Sequence, residues 1–125
     1  MYKVTIETSV KELSVLDRVK VKEAAGCHKI DDLVANNGGR YGILFANAVK
    51  LRVESDQTES PEYNRYVFID MDGELYTTSS DNVYNKFCEI YDEIKDYEGE
   101  WSLIFTAAPS KKYAGKNYLT CTING

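Results

Sequence analysis

One histidine, no Cys-x-x-Cys pair and no long apolar run leave the sequence poor in the residues that build many kinds of site. Structural zinc needs cysteine and histidine ligands at short spacing, whereas Cys27, Cys88 and Cys121 are odd in number and far apart. That usage fits a reducing compartment rather than a disulfide framework. The opening MYKVTIETSV lacks the apolar centre of a signal peptide, and no stretch approaches membrane-spanning length. A cytoplasmic location and no membrane partner are therefore expected. Acid is missing locally: residues 101–125 contain Lys111, Lys112 and Lys116 and no Asp or Glu.

What is present is one domain's worth of chain, 125 residues, with the 43% hydrophobic and 28% charged content of an ordinary globular protein. Such a chain can bury a core without disulfides or metal. Tyrosine is in excess: ten, against four Phe and one Trp. Tyrosine packs, stacks and hydrogen-bonds at wet surfaces, so the excess hints at a binding face. The net charge of −5 alone speaks against nucleic acid, but it is segregated. Residues 81–100 hold seven acids and two lysines, which is the whole of it. The rest of the chain is neutral, with a basic segment near its end.

Hydrophobic periodicity orders the chain. Residues 2–8 alternate as a short strand. Ser14 caps a helix over 15–25 with Gly26 as its stop, and a shorter helix follows over 28–35. Asn36-Asn37-Gly38-Gly39 is the clearest boundary, setting off a strand-and-helix extension over 1–39 from a domain over 40–125. Tyr41, Ile43, Phe45, Val49, Leu51 and Val53 recur at period two, with Asn47 the exception, and predict a long strand over 41–55. A loop over 56–62, strands over 63–70 and 74–79, a helix over 81–97, and strands over 100–108 and 118–123 complete the series. In the helix, Val83, Phe87, Ile90, Ile94 and Tyr97 mark one apolar face, acids occupy the other, and Ser79, Ser80 or Asp81 can cap it. The order β-β-β-α-β-β is that of a five-stranded OB-type barrel, and other α+β topologies share it.

The stretch YVFIDMDGELYTT, 66–78, invites a different reading, because an apolar strand running into Asp-x-Asp-Gly resembles the nucleophile region of haloacid-dehalogenase-type phosphotransferases. That chemistry needs a doubly wound parallel sheet. Here Asp70 is followed by three residues and another strand, a spacing for antiparallel pairing, with Asp72-Gly73 a hairpin signal. A calcium loop would place glycine sixth, and here it is fourth. The run reads as a turn, and no enzyme, metal or cofactor is expected. Cys27 and His28 are adjacent, so a thiolate–imidazole pair would need a special turn, and the sequence offers His28 no obvious acidic orienter. Cys88 and Cys121 read as small core residues.

Binding residues concentrate in PSKKYAGKNYL, 109–119. Lys111, Lys112 and Lys116 suit phosphates, Tyr113 and Tyr118 suit bases, and Gly115 gives freedom. In an OB barrel this segment would join the last two strands, beside the usual nucleic-acid face. The second strand offers Arg65 and Tyr66 to that face and the third offers Tyr76, and which of them point outward depends on register. If Val67 and Ile69 point inward, Tyr66 and Phe68 face out as a stacking pair; the unbroken apolar run equally permits burial on both sides. The plain alternative for the 109–119 segment is a solvated basic hairpin.

From residue 63 to 123, about half the chain, the sequence resembles small single-stranded DNA-binding proteins encoded by phages of Gram-positive hosts. The matching elements are YVFIDMDGELYTTS, a helix with Phe87 and Ile90, EWSLIF, and PSKKYAGKNYLTCTI. The resemblance implies an OB fold that coats single-stranded DNA in phage replication or recombination within the host cytoplasm. The implied binding residues are Arg65, Tyr66, Tyr76, Lys111, Lys112, Tyr113, Lys116 and Tyr118. It leaves open a homodimer and contacts with replication or recombination proteins. Bacterial single-strand binders recruit partners through an acidic tail, whereas this sequence ends CTING. The rival expectation is a protein-interaction module or DNA-mimic inhibitor of a host enzyme using the acidic helix of 81–100.

Overall fold

The computed structural model describes residues 2–23, 26–55, 62–109 and 117–124 and is mainly β with three helices among them. The elements are β1 (Tyr2–Ser9), α1 (Val15–Lys22), β2 (His28–Lys29), α2 (Ile30–Asn36), β3 (Arg40–Ser55), β4 (Glu62–Asp70), β5 (Leu75–Thr78), α3 (Asp81–Ile94), β6 (Ser102–Pro109) and β7 (Asn117–Asn124). The expected β-β-β-α-β-β order after residue 39 is present, and the loop over 56–62 falls almost wholly outside the described residues. The chain forms two compact units, Met1–His28 with Ala46–Ser79 and Lys29–Phe45 with Ser80–Gly125.

In the first unit, β1 runs antiparallel to the C-terminal part of β3, from Tyr2 opposite Ser55 to Ser9 opposite Val49. Glu7 is an extra residue there, a β-bulge that shifts the register between Ile6 and Thr8. β4 lies beside β3 and pairs antiparallel with β5, and β2 flanks β5. The core joins Leu13, Val21, Val49, Leu51, Val67, Ile69 and Leu75. The first part of the N-terminal segment, up to His28, is thus built into this unit: β1 supplies a strand, and Leu13 and Val21 enter its core, whereas α2 belongs to the second unit. Ser14 caps α1 by accepting from the Asp17 N–H at 3.1 Å.

Asn47, the one break in the apolar alternation of β3, is buried for a reason. Its Oδ1 accepts from the Lys11 N–H at 3.0 Å and its Nδ2 donates to the Lys11 carbonyl at 3.1 Å. The side chain stands in for a strand partner and satisfies backbone that would otherwise be orphaned.

In the second unit the N-terminal part of β3 pairs antiparallel with β6, Arg40 to Leu44 against Thr106 to Ser102. β6 pairs with β7 along its whole length, giving the order β3-β6-β7. Ser80 caps α3 through the Val83 N–H at 3.3 Å. Phe87 of α3 is wholly buried, with Phe45 at 5.2 Å and Tyr91 at 5.6 Å between ring centroids, and Phe45 stacks on Trp101 at 4.6 Å. These separations suit aromatic packing.

Cys121 on β7 is buried, and its thiol donates to the Val83 carbonyl at 3.5 Å. Burial pushes its pKa up to about 12 from 9.0, with Lys86 opposing the rise weakly. The folded state therefore holds a proton that the unfolded chain gives up near pH 9. Stability is unaffected below that pH and falls as pH climbs from 9 toward 12, by up to about 1.4 kcal/mol per unit. Urea titrations of wild type and Cys121→Ala at rising pH test this: the difference between them should shrink above pH 9. A difference independent of pH would show the thiol to be freely ionisable.

Candidate nucleic-acid interface

The β4–β5 hairpin carries the Asp-Met-Asp-Gly run. Phe68 faces Tyr76 and Ile69 faces Leu75 across the pair. The Gly73 N–H donates to the Asp70 carbonyl at 3.0 Å, and Gly73 takes φ +85°, a left-handed conformation that glycine adopts without strain. Asp70 organises the turn with its side chain. Oδ1 accepts from the Asp72 and Glu74 N–H groups, both at 2.9 Å, and Oδ2 accepts from the Tyr76 hydroxyl at 2.8 Å. Aspartate at the first position and glycine at the fourth are what such a turn favours. Both oxygens are committed to holding the chain, which supports the reading of a turn. Among the described residues, no group of three or more His, Cys, Asp or Glu is placed to share a metal.

The expected platform on this hairpin is not exposed. Val67 and Ile69 face the core, yet Tyr66 is only 2% exposed and Phe68 0%, and Tyr76 is buried too, so of the two arrangements the apolar run permits it is burial on both sides that occurs. The hairpin strands are covered on both faces, the arrangement in which an apolar run shows no alternation. Arg65 is likewise buried, its Nη2 donating to the Val21 carbonyl at 2.6 Å. It caps the C-terminal end of α1, where unpaired carbonyls and the negative end of the helix dipole favour a cation. In this structure Arg65, Tyr66, Phe68 and Tyr76 act in packing, out of reach of a passing base.

Around the same hairpin, the orienter missing from the local sequence of His28 is present. His28 Nε2 lies 3.0 Å from Glu74 Oε2, and its ring packs 5.4 Å from that of Tyr76. Both groups are exposed, so the pair contributes little to stability. Cys27 is the residue before His28 in the chain, and its surroundings disfavour the thiolate. Its thiol donates to the Glu23 carbonyl at 3.5 Å, and burial raises its pKa despite the nearby Arg65 guanidinium.

A surface open to a ligand occurs in the second unit. Tyr118 is 42% exposed and pairs with Ala108 on β6, next to Asn117 opposite Pro109. It lines a groove of about 530 Å³ together with Val34, Gly38, Gly39, Ala107 and Leu119. Gly38 and Gly39 end α2 at φ +70° and +90°, and the Gly39 N–H donates to the Val34 carbonyl at 2.8 Å. The Ala107 N–H in turn donates to the Gly39 carbonyl at 3.0 Å and so brings the glycine turn to the hairpin. No side chain projects from the two glycines, so a flat group can approach the backbone closely. Asp31 also lines the groove, and its carboxylate disfavours an anion there.

Of the expected binding residues, Tyr118 alone is brought to an open surface among the described ones. Lys111, Lys112, Tyr113 and Lys116 lie outside the described residues. In sequence they join Pro109 to Asn117, the paired residues that close the β6–β7 hairpin beside Tyr118. The glycine turn escaped the sequence reading as a site component, because Asn-Asn-Gly-Gly signals only a helix end. Its place beside Tyr118 depends on β3 pairing with β6. Comparison of the chain with protein-family models, with curated proteins and with solved structures finds no match.

Proposed function

We propose that the chain binds single-stranded DNA without strong sequence preference, on a five-stranded OB-type barrel formed by β3, β4, β5, β6 and β7 with α3 between β5 and β6. The observation that carries the reading is Tyr118, half-exposed in an open groove at the root of a hairpin whose connection holds three lysines. A base stacks on the Tyr118 ring against the glycine turn, and Lys111, Lys112 and Lys116 neutralise phosphates. Tyr113 offers a second ring. Coating of single strands during replication or recombination, in a phage-infected cytoplasm, is the setting that the sequence resemblance supplies. No described helix is long and apolar enough to cross a membrane.

Titrating a labelled oligonucleotide with the protein at several salt concentrations tests this. Affinity should fall with a log–log slope of about −0.7 per phosphate neutralised. Tyr118→Ala should lose about 1–3 kcal/mol of binding while leaving the fold intact. Lys111→Glu with Lys112→Glu should weaken binding and flatten the salt slope. Absence of binding at low salt would overturn the reading, and an RNA oligonucleotide run in parallel fixes the preferred strand.

The acidic side of α3 favours a second reading, an interaction module or DNA mimic that inhibits a host enzyme. Glu89, Asp92 and Glu93 are all exposed there. Such a protein shifts no oligonucleotide itself and instead displaces DNA from its target.

A further inference from the structure

Two apolar surfaces have no part in DNA binding, and their charged borders are of opposite sign. The first is on α1. Val15, Leu16 and Val19 are 78%, 71% and 53% exposed, while Val21 anchors the helix in its own unit. Spacings of one, three and four residues place the three on one helical face. Arg18, Lys20 and Lys22, all exposed, border that face. Three large aliphatic side chains together in water mark a surface that binds something. The second is a groove of about 460 Å³ between α3 and β7, floored by Ile90, Ile94 and Ile123 and rimmed by Glu89 and Glu93. Lys86 sits at one end, 3.8 Å from Glu89. Asp92 and Asp96 add exposed acid on the same helix and just beyond it.

We infer that the α1 face of one copy docks in the α3–β7 groove of a second copy, a head-to-tail contact. Charge selects this pairing. Packing α1 on α1 would oppose two basic borders, and packing groove on groove would oppose two acidic rims. The head-to-tail arrangement sets basic border against acidic rim around a shared apolar centre. An eight-residue helix is only about 12 Å long, so the buried area falls below that of a standard interface. The association is accordingly weak, sensitive to concentration and weakened by salt. A contact of this hand adds copies until a ring closes or a chain extends. It requires no nucleic acid.

Sedimentation velocity of the full chain without DNA, over a wide concentration range at low and high salt, tests the contact. The average mass should rise with concentration and fall with salt. Leu16→Asp should weaken association about tenfold to a hundredfold. Arg18→Glu with Lys22→Glu, and separately Glu89→Lys with Glu93→Lys, should each abolish it, because each variant then repels itself. Mixing those two charge-swapped proteins should restore it, since each border again meets an opposite rim. All five positions are exposed, and thermal melts confirm that the fold is kept. A wild-type protein that stays monomeric at every concentration would overturn the inference, as would association that ignores both swaps or that mixing does not rescue. Anionic phospholipid vesicles are a control. Binding there by a monomeric wild type, lost in Leu16→Asp, would assign α1 to a membrane surface and also overturn it.

Discussion

Phe68→Ala should cost about 3–5 kcal/mol of folding stability, a large share of what a domain this size possesses. The side chain is wholly buried on β4, opposite Tyr76 in the pair with β5. Removing it deletes a ring's worth of buried area and leaves a cavity that the covered strands on either side cannot easily close. Chemical denaturation of wild type and variant gives the number. The same measurement on Tyr118→Ala should move stability by no more than about 0.5 kcal/mol, because that ring is half in water. The two aromatics were alike in the sequence, both candidates for stacking on bases. If Phe68 were a base platform, its removal would spare stability and weaken DNA binding instead. A Phe68→Ala protein as stable as wild type would refute the packing role.

The difference between Phe68 and Tyr118 shows which kinds of feature were legible. Local signals held. The alternation in 41–55 gave β3, the four-three spacing of Val83, Phe87, Ile90 and Ile94 gave α3, and Ser14 and Ser80 cap the helices they precede. Each depends on residues within a few positions of one another. Features set by distant parts of the chain were not legible. An apolar run such as 66–69 has the same composition whether one face or two are covered. Arg65, expected at the surface on charge alone, is drawn inside by a carbonyl 44 residues away on α1. The apolar residues of α1 would pass for core, and all but Val21 face outward.

Charge segregation was legible as a pattern and acquires a spatial meaning. The acids of 81–100 lie mostly along α3, and their outward side chains leave its apolar face to pack against β7. The lysines of 109–119 fall at the one hairpin connection where Tyr118 is open. On the proposed reading, a polyanion would be repelled from α3 and attracted to the lysines of the 109–119 segment, so the distribution would orient the ligand even though the net charge is unfavourable.

Asp70→Ala should destabilise the protein by about 3 kcal/mol, and Asp70→Asn by distinctly less. The carboxylate accepts three hydrogen bonds, two from backbone N–H groups inside a turn and one from the buried Tyr76. Hydrogen bonds to a charged acceptor contribute about 1.5–3 kcal/mol each when buried, and the partial exposure of Asp70 lowers these to about 1 kcal/mol each. Alanine removes all three acceptors and leaves the Asp72 and Glu74 N–H groups to water. Asparagine keeps an oxygen for the two N–H groups and presents an amide to the Tyr76 hydroxyl, which can rotate to accept from it. The loss should therefore grade from Asp through Asn to Ala, read from denaturation midpoints at neutral pH. A nucleophilic Asp70 predicts the opposite pattern. Both variants would then abolish magnesium-dependent turnover of a phosphate ester equally, with little change in stability. Equal stabilities across the three proteins would remove the turn role, and graded stabilities with no turnover in any of them would leave Asp70 as the residue that sets the register of the β4–β5 hairpin.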